Sequence, residues 1–193
     1  WFGKKLHEEL GVPVGIIQQA YAGTPIEGWM PWDIQKEDVR AIAHKQALNE
    51  NAERQLSRGD TREMALAKFR KQLVAYNARI DAGETMKNRF KVLSPPTVTK
   101  PANLGHQYPG HMFNAMIHPI RPYGIRGMIW YQGERNSKDV PQAFHYRKQL
   151  AQLIDFYRSI WHELSAGCVP DNFPFQFTQL PSWTVPQTQP VEG

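Results

Sequence analysis

An α/β fold is predicted, because three stretches of the chain each place an apolar run beside a glycine-bearing turn or a helix. In the first stretch, Phe2, Leu6 and Leu10 recur at helical spacing, and Gly11 follows as a C-terminal cap. Val12 to Ile17 is a short run rich in β-branched residues, as expected of a buried parallel strand. The turn Tyr21-Ala22-Gly23-Thr24-Pro25 then leads into Ile26–Trp29, with Thr24 reading as an N-cap and Pro25 as the first helical position. In the second stretch, Gly124–Trp130 is a strand that runs into the polar turn Tyr131-Gln132-Gly133-Glu134-Arg135-Asn136. From Val140, the positions Phe144, Leu150, Leu153, Ile154, Tyr157, Ile160 and Trp161 mark an amphipathic helix. The third stretch, Phe173 to Leu180, is a further strand, after which the sequence turns rich in proline.

Residues 35–90 have a different character: charged, free of proline, and with only Gly59 and Gly83. Leu66, Phe69, Leu73, Tyr76 and Ile80 step by three and four, and Leu48, Ala52 and Leu56 form a thinner stripe before them. This pattern predicts a helical hairpin inserted in the domain, with its turn at 58–60 and Asp60 or Thr61 capping the second helix. A turn between helices explains Arg58-Gly59-Asp60 better than an adhesion motif does. Residues 91–111, rich in Pro and Gly, read as a long loop, and no internal repeat is visible.

The bulk properties exclude several classes. At 193 residues, with 41% hydrophobic and 21% charged residues, the composition is that of a soluble globular domain. No apolar run reaches the roughly 18 residues a membrane span requires. The net charge of +5 comes from 23 basic residues spread among 18 acidic ones rather than gathered in one stripe. That distribution argues against a nucleic-acid partner. Cys168 is the only cysteine, so no internal disulfide can form.

Chemistry is expected where strands end, since ligands of open α/β sheets bind at the carboxyl ends of the strands. At Ala22-Gly23-Thr24, a glycine lets the backbone approach a ligand and point its N–H at developing negative charge, although taken alone the residue is accounted for better as a plain turn glycine before a helix. At Trp130–Asn136, a side-chain amide, a glycine and a carboxylate follow an apolar strand directly. Gln132 is a neutral two-donor group suited to an oxyanion. Glu134 can orient a histidine or fix the loop by accepting backbone N–H bonds, and a polar turn with Glu134 paired to Arg135 or another surface base accounts for it as well.

These segments fall into a recognisable order. Phe2-Gly3-Lys4-Lys5-Leu6-His7, Gly11–Ile17 and Gly23-Thr24-Pro25-Ile26-Glu27-Gly28-Trp29 resemble the sialate O-acetylesterase family. So do Phe113-Asn114-Ala115-Met116-Ile117-His118-Pro119, Ile125–Asn136 with its Trp-Tyr-Gln-Gly-Glu block, and Pro174–Leu180. The resemblance implies a three-layer α/β/α sandwich of the flavodoxin-like SGNH-hydrolase type, here incomplete, and a Ser-His-Asp esterase that removes acetyl groups from sugars without metal or cofactor. It implies that the Gly23 N–H and the Gln132 amide face the oxyanion and that Glu134 supports a histidine or the loop. Thr24, Trp29, Asn114 and Tyr131 are then expected around the acyl or sugar pocket. The expected partner is an acetylated sugar or glycan, with no nucleic acid and no membrane. A secreted or periplasmic location is implied by the family alone.

The departures bear on activity. No Gly-x-Ser occurs in the 193 residues, and no Asp is followed by His three positions on. Ser57, Ser94, Ser137, Ser159, Ser165 and Ser182 lack a nucleophile-elbow context. His111 and His118, which bracket Asn114, fit packing or surface roles better than catalysis. Residues 1–193 therefore read as an internal part of an esterase domain, inactive alone. Two other readings stay open. One is a non-catalytic or degenerate carbohydrate-binding module using Trp29, Trp32, Trp130, Tyr131 and Trp183. The other is an interaction role for the charged 35–90 insert.

Overall fold

The computed structural model describes residues 1–58, 62–84, 102–121 and 123–181. The architecture is mixed α/β. Among the described residues, five α-helices precede the sheet: α1 (Phe2–Leu10), α2 (Ile26–Trp29), α3 (Trp32–Gln35), α4 (Val39–Ser57) and α5 (Arg62–Asp81). They are followed by β1 (Met128–Trp130), α6 (Val140–Leu164) and β2 (Phe175–Phe177). A π-helical stretch at Phe113–Ile117 and short 3₁₀ turns, among them Ala102–Leu104 and Glu134–Asn136, link these elements.

β1 and β2 pair in parallel, with Met128 opposite Phe175 and Trp130 opposite Phe177. Parallel neighbours need a crossover, and α6 supplies it, so β1–α6–β2 is one βαβ unit. Asp139 starts α6 by accepting the Gln142 N–H at 2.7 Å. Gln149, Leu153, Tyr157 and Trp161 then recur every fourth residue along its buried face. This face meets Ile26, Trp29 and Met30 around α2, and Met112, Phe113 and Ile117. The Tyr157 phenol donates to the Trp29 carbonyl at 2.7 Å, and burial holds its pKa well above the usual range.

Several expectations change on contact with this core. Val12–Ile17 forms no strand, and Val12, Ile16 and Ile17 are exposed. β-branched composition suits a strand only when a neighbour accepts its backbone bonds, and β1 with β2 is the only ladder among the described residues. The segment folds back on α1 instead. A Cβ at Gly3 would come within 2.5 Å of Ile16 Cδ1, and Gly11 ends α1 at φ 65, as its spacing predicts. Thr24 is not a cap, because α2 begins after Pro25 with no side-chain cap bond. On α5 the apolar stripe is not core: Leu73 and Ile80 are exposed, as is Phe144 on α6. Amphipathic spacing marks a face able to bury, while burial depends on what packs against it. Positions 59–61, where the hairpin turn and its cap were expected, and Trp183 lie outside the described residues. Among the described residues no helix is long and apolar enough to cross a membrane.

Leu153→Ala is expected to lower unfolding free energy by about 2–5 kcal/mol in chemical denaturation. Phe144→Ala on the exposed side of the same helix should stay within about 0.5 kcal/mol of the parent.

Candidate active site

The two turns singled out by sequence, 21–25 and 131–136, meet in the structure. The first turns at Gly23, φ 73, where a Cβ would sit 3.6 Å from His106 Nε2. The residue is exposed, and its N–H has no hydrogen-bond partner among the described residues. The second turns at Gly133, φ 149, where a Cβ would press within 3.1 Å of Leu180 Cδ1. A side chain at Gly133 would therefore be both strained and crowded.

Gln132 is the link between them. Its Nε2 donates to the Thr24 carbonyl at 2.9 Å and to Asn136 Oδ1 at 3.0 Å. Asn136 is buried, and its Oδ1 also accepts the Ile26 N–H at 2.9 Å, while its Nδ2 donates to Glu27 Oε2 at 3.0 Å. The Ile26 N–H can only donate, which fixes the orientation of Asn136 and in turn that of Gln132. Glu27 is 6% exposed and its second oxygen accepts from Gln149 Nε2 at 2.9 Å. Its buried carboxylate is thus held by two neutral amides, in the absence of an ion pair among the described residues.

A tyrosine steadies the same loop. Tyr146 donates its phenol to the Gln132 carbonyl at 2.9 Å and accepts from Trp130 Nε1 at 3.0 Å. Burial pushes the Tyr146 pKa up to about 12, and the nearby Glu134 and Glu27 charges add to the rise against the opposing Trp130 bond. The phenol therefore stays a donor throughout the neutral range.

The expected site residues separate into two groups. Thr24, Trp29 and Gln132 are brought into direct contact: the Thr24 hydroxyl donates to the Tyr21 carbonyl at 2.9 Å and accepts from Trp29 Nε1 at 2.8 Å. Trp29 and Trp130 are core residues, 4% and 8% exposed, packed edge to face with centroids 6.1 Å apart. Neither ring is open to stack on a sugar. Tyr131 is 61% exposed, and Asn114 and Glu134 are also exposed, with no hydrogen bond tying their side chains to Gln132. Arg135 does not pair with Glu134 but donates to Gln107 Oε1 at 2.9 Å. Both Gln132 amide hydrogens are engaged within the protein, and its buried Oε1 has no partner. Serving an oxyanion therefore requires the amide to release one of its two present acceptors. No group of three or more His, Cys, Asp or Glu among the described residues is placed to hold a metal ion.

Asn136, Glu27, Gln149, Tyr146 and His106 were not singled out by sequence reasoning. Gln149 carried a legible signal, a polar residue one turn before Leu153 on the apolar face of α6. His106, whose ring lies 5.0 Å from that of Tyr21, offered none, since the approach of 102–109 to the Gly23 turn is purely tertiary.

Two outcomes follow. Asn136→Ala strands the Ile26 N–H and one Glu27 oxygen, and each stranded group should cost roughly 1–3 kcal/mol in denaturant unfolding. For Tyr146, the folded pKa lies above the unfolded value near 10, so its contribution to stability is complete below about pH 10 and is lost as pH rises toward 12. Denaturant midpoints measured across that range should fall less in Tyr146→Phe than in the parent.

No protein-family model matches the chain. Curated relatives do. It is 27% identical over 182 residues to the mouse sialate O-acetylesterase, covering 94% of this chain and 28% of the relative. It is 29% identical over 189 residues to the rat sialate O-acetylesterase, covering 94% and 29%. It is 26% identical over 182 residues to the human sialate O-acetylesterase, covering 94% and 24%. The chain thus spans less than a third of the length of these relatives, and over nearly its own whole length it is similar to the sialate O-acetylesterases.

Proposed function

We propose that this chain is the oxyanion-binding part of a carbohydrate O-acetylesterase. The observation that carries the reading is the clasp between the two turns: Gln132 reaches across to Thr24, next to Gly23, an exposed residue whose N–H has no hydrogen-bond partner among the described residues. In the proposed reaction a serine from outside this sequence attacks the acetyl carbonyl while a histidine takes its proton. The carbonyl oxygen gains negative charge, and the Gly23 N–H and one Gln132 N–H, exchanged from Thr24, receive it. Collapse of the tetrahedral intermediate releases the sugar hydroxyl, and water then frees acetate from the acyl-enzyme. In this reading Glu134 supports the histidine or the loop, and Thr24, Asn114 and Tyr131 border the substrate. The sheet belongs to a three-layer α/β/α sandwich of SGNH-hydrolase type, with residues 35–90 as an insert. In support, Ile129, on the sheet face opposite Trp130, is half exposed and free to receive a second layer. The substrate is an acetylated sugar or glycan, as the relatives' names suggest, and export from the cytoplasm is part of the same proposal.

A non-catalytic binding module is less favoured, because two of the five aromatics on which it relied, Trp29 and Trp130, are buried.

The 193-residue chain alone should not hydrolyse p-nitrophenyl acetate. In the full-length esterase, Gln132→Ala should lower kcat by about 10²–10³-fold with little change in KM. Hydrolysis by the isolated chain that Gln132→Ala abolishes, or an unchanged kcat in the full-length variant, would overturn the reading.

A further inference from the structure

A half-buried imidazole stands at the Gly23 turn and takes no part in the clasp. His106 precedes the π-helical stretch in sequence, and its Nε2 lies 3.6 Å from where a Cβ on Gly23 would be. Its ring rests against Tyr21 with centroids 5.0 Å apart, and neither ring nitrogen has a hydrogen-bond partner among the described residues. The Gly23 N–H likewise lacks one among them. We infer that His106 is a third donor to the oxyanion, an inference that rests on the esterase reading and adds to it a group from outside both turns.

The segment that carries His106 is fastened on several sides. Its backbone carbonyl packs so closely on α2 that a Cβ on Gly28 would come within 3.2 Å of it. The Gly110 N–H donates to the Glu27 carbonyl at 2.9 Å, and His111 donates through Nδ1 to the Gly105 carbonyl at 3.2 Å. Next in sequence to His106, Gln107 accepts His44 Nε2–H on its backbone carbonyl and Arg135 Nη2–H on its side-chain oxygen, both at 2.9 Å. Arg135 belongs to the Gln132 turn, so the imidazole is tied to one turn through Gln107 and rests on the other through Tyr21. A donor fixed in advance needs little reorganisation as charge develops.

The distances let one atom meet both unpartnered groups. A Cβ lies ~2.5 Å from its own backbone nitrogen, so Nε2 is at most about 6 Å from the Gly23 nitrogen. One oxygen accepting from both at ~2.9 Å spans nearly that much, and any bend between the three atoms brings them within reach. With its proton on Nε2, a neutral imidazole donates there. It keeps that proton throughout: the hydrogen bond strengthens as the carbonyl oxygen turns negative and relaxes when the intermediate collapses. The base that takes the serine proton is a different histidine, because such a base holds a carboxylate on its other nitrogen. No carboxylate bonds to His106 among the described residues. Gln132 must exchange an acceptor to serve the oxygen, whereas His106 has none to give up.

Hydrolysis of p-nitrophenyl acetate by the full-length protein tests the assignment. His106→Phe keeps a ring on Tyr21 and His106→Ala opens space, yet both remove the donor. In each, kcat should fall about 10²-fold, with KM within about threefold of the parent and denaturant midpoints unchanged. His106→Gln, whose amide can donate, should recover at least about tenfold of that loss. A kcat within about threefold of the parent in both donorless variants, an effect confined to KM, or no recovery in His106→Gln would overturn the third donor. Gln132→Ala in the same assay separates the two claims. Loss of kcat there, with full activity in the His106 variants, leaves the esterase reading standing without this donor; indifference to Gln132→Ala removes both.

Discussion

The carboxamide of Asn136 joins parts of the chain more than a hundred residues apart. Its oxygen takes the first free N–H of α2 and one hydrogen of Gln132, and its nitrogen holds the buried carboxylate of Glu27. The way the two turns face one another depends on this group being buried and satisfied. An apolar residue there would leave a backbone donor and a carboxylate oxygen unpaired inside the protein, so the arrangement is stable only when complete. Gln149 completes it from α6, which couples the turns to the same helix that fills the core.

This arrangement also constrains the chemistry. Gln132 is not a dangling amide waiting for substrate; it is bonded to Thr24 and Asn136. If it serves an oxyanion, the ester oxygen replaces one of those acceptors, and the Asn136 bond keeps the side chain from swinging away. Preorganisation is then supplied by the protein interior, and little reorientation is left to the reaction itself. The charge on Glu27 lies behind this amide layer rather than at the reacting centre.

Much of the framework was legible in sequence because it rests on local signals. Gly11 follows the last helical position of α1 and takes the left-handed conformation that a cap requires. The stripe from Leu153 to Trp161 is the buried side of α6, and the apolar runs before Tyr131 and after Phe173 contain the two strands. The failures were nonlocal. Val12–Ile17 has strand composition but no strand beside it, and the stripe of α5 has spacing without burial. At the site, a glycine and an amide after apolar runs drew notice to Gly23 and Gln132. The aromatic Trp29 suggested a sugar platform, yet its ring packs against Trp130 and its N–H against Thr24. Asn136 looked like one more polar turn residue, because its partners Ile26 and Glu27 are far away in sequence.

The most direct measurement is a crystal structure of the full-length protein with a methylphosphonate ester on its nucleophile, mimicking the tetrahedral intermediate. The phosphoryl oxygen should lie about 2.7–3.1 Å from both Gly23 N and Gln132 Nε2, with the Gln132–Asn136 bond retained and the Thr24 bond given up. A phosphoryl oxygen bound elsewhere, with Gln132 still donating to both Thr24 and Asn136, would contradict the assignment of these two turns to the oxyanion.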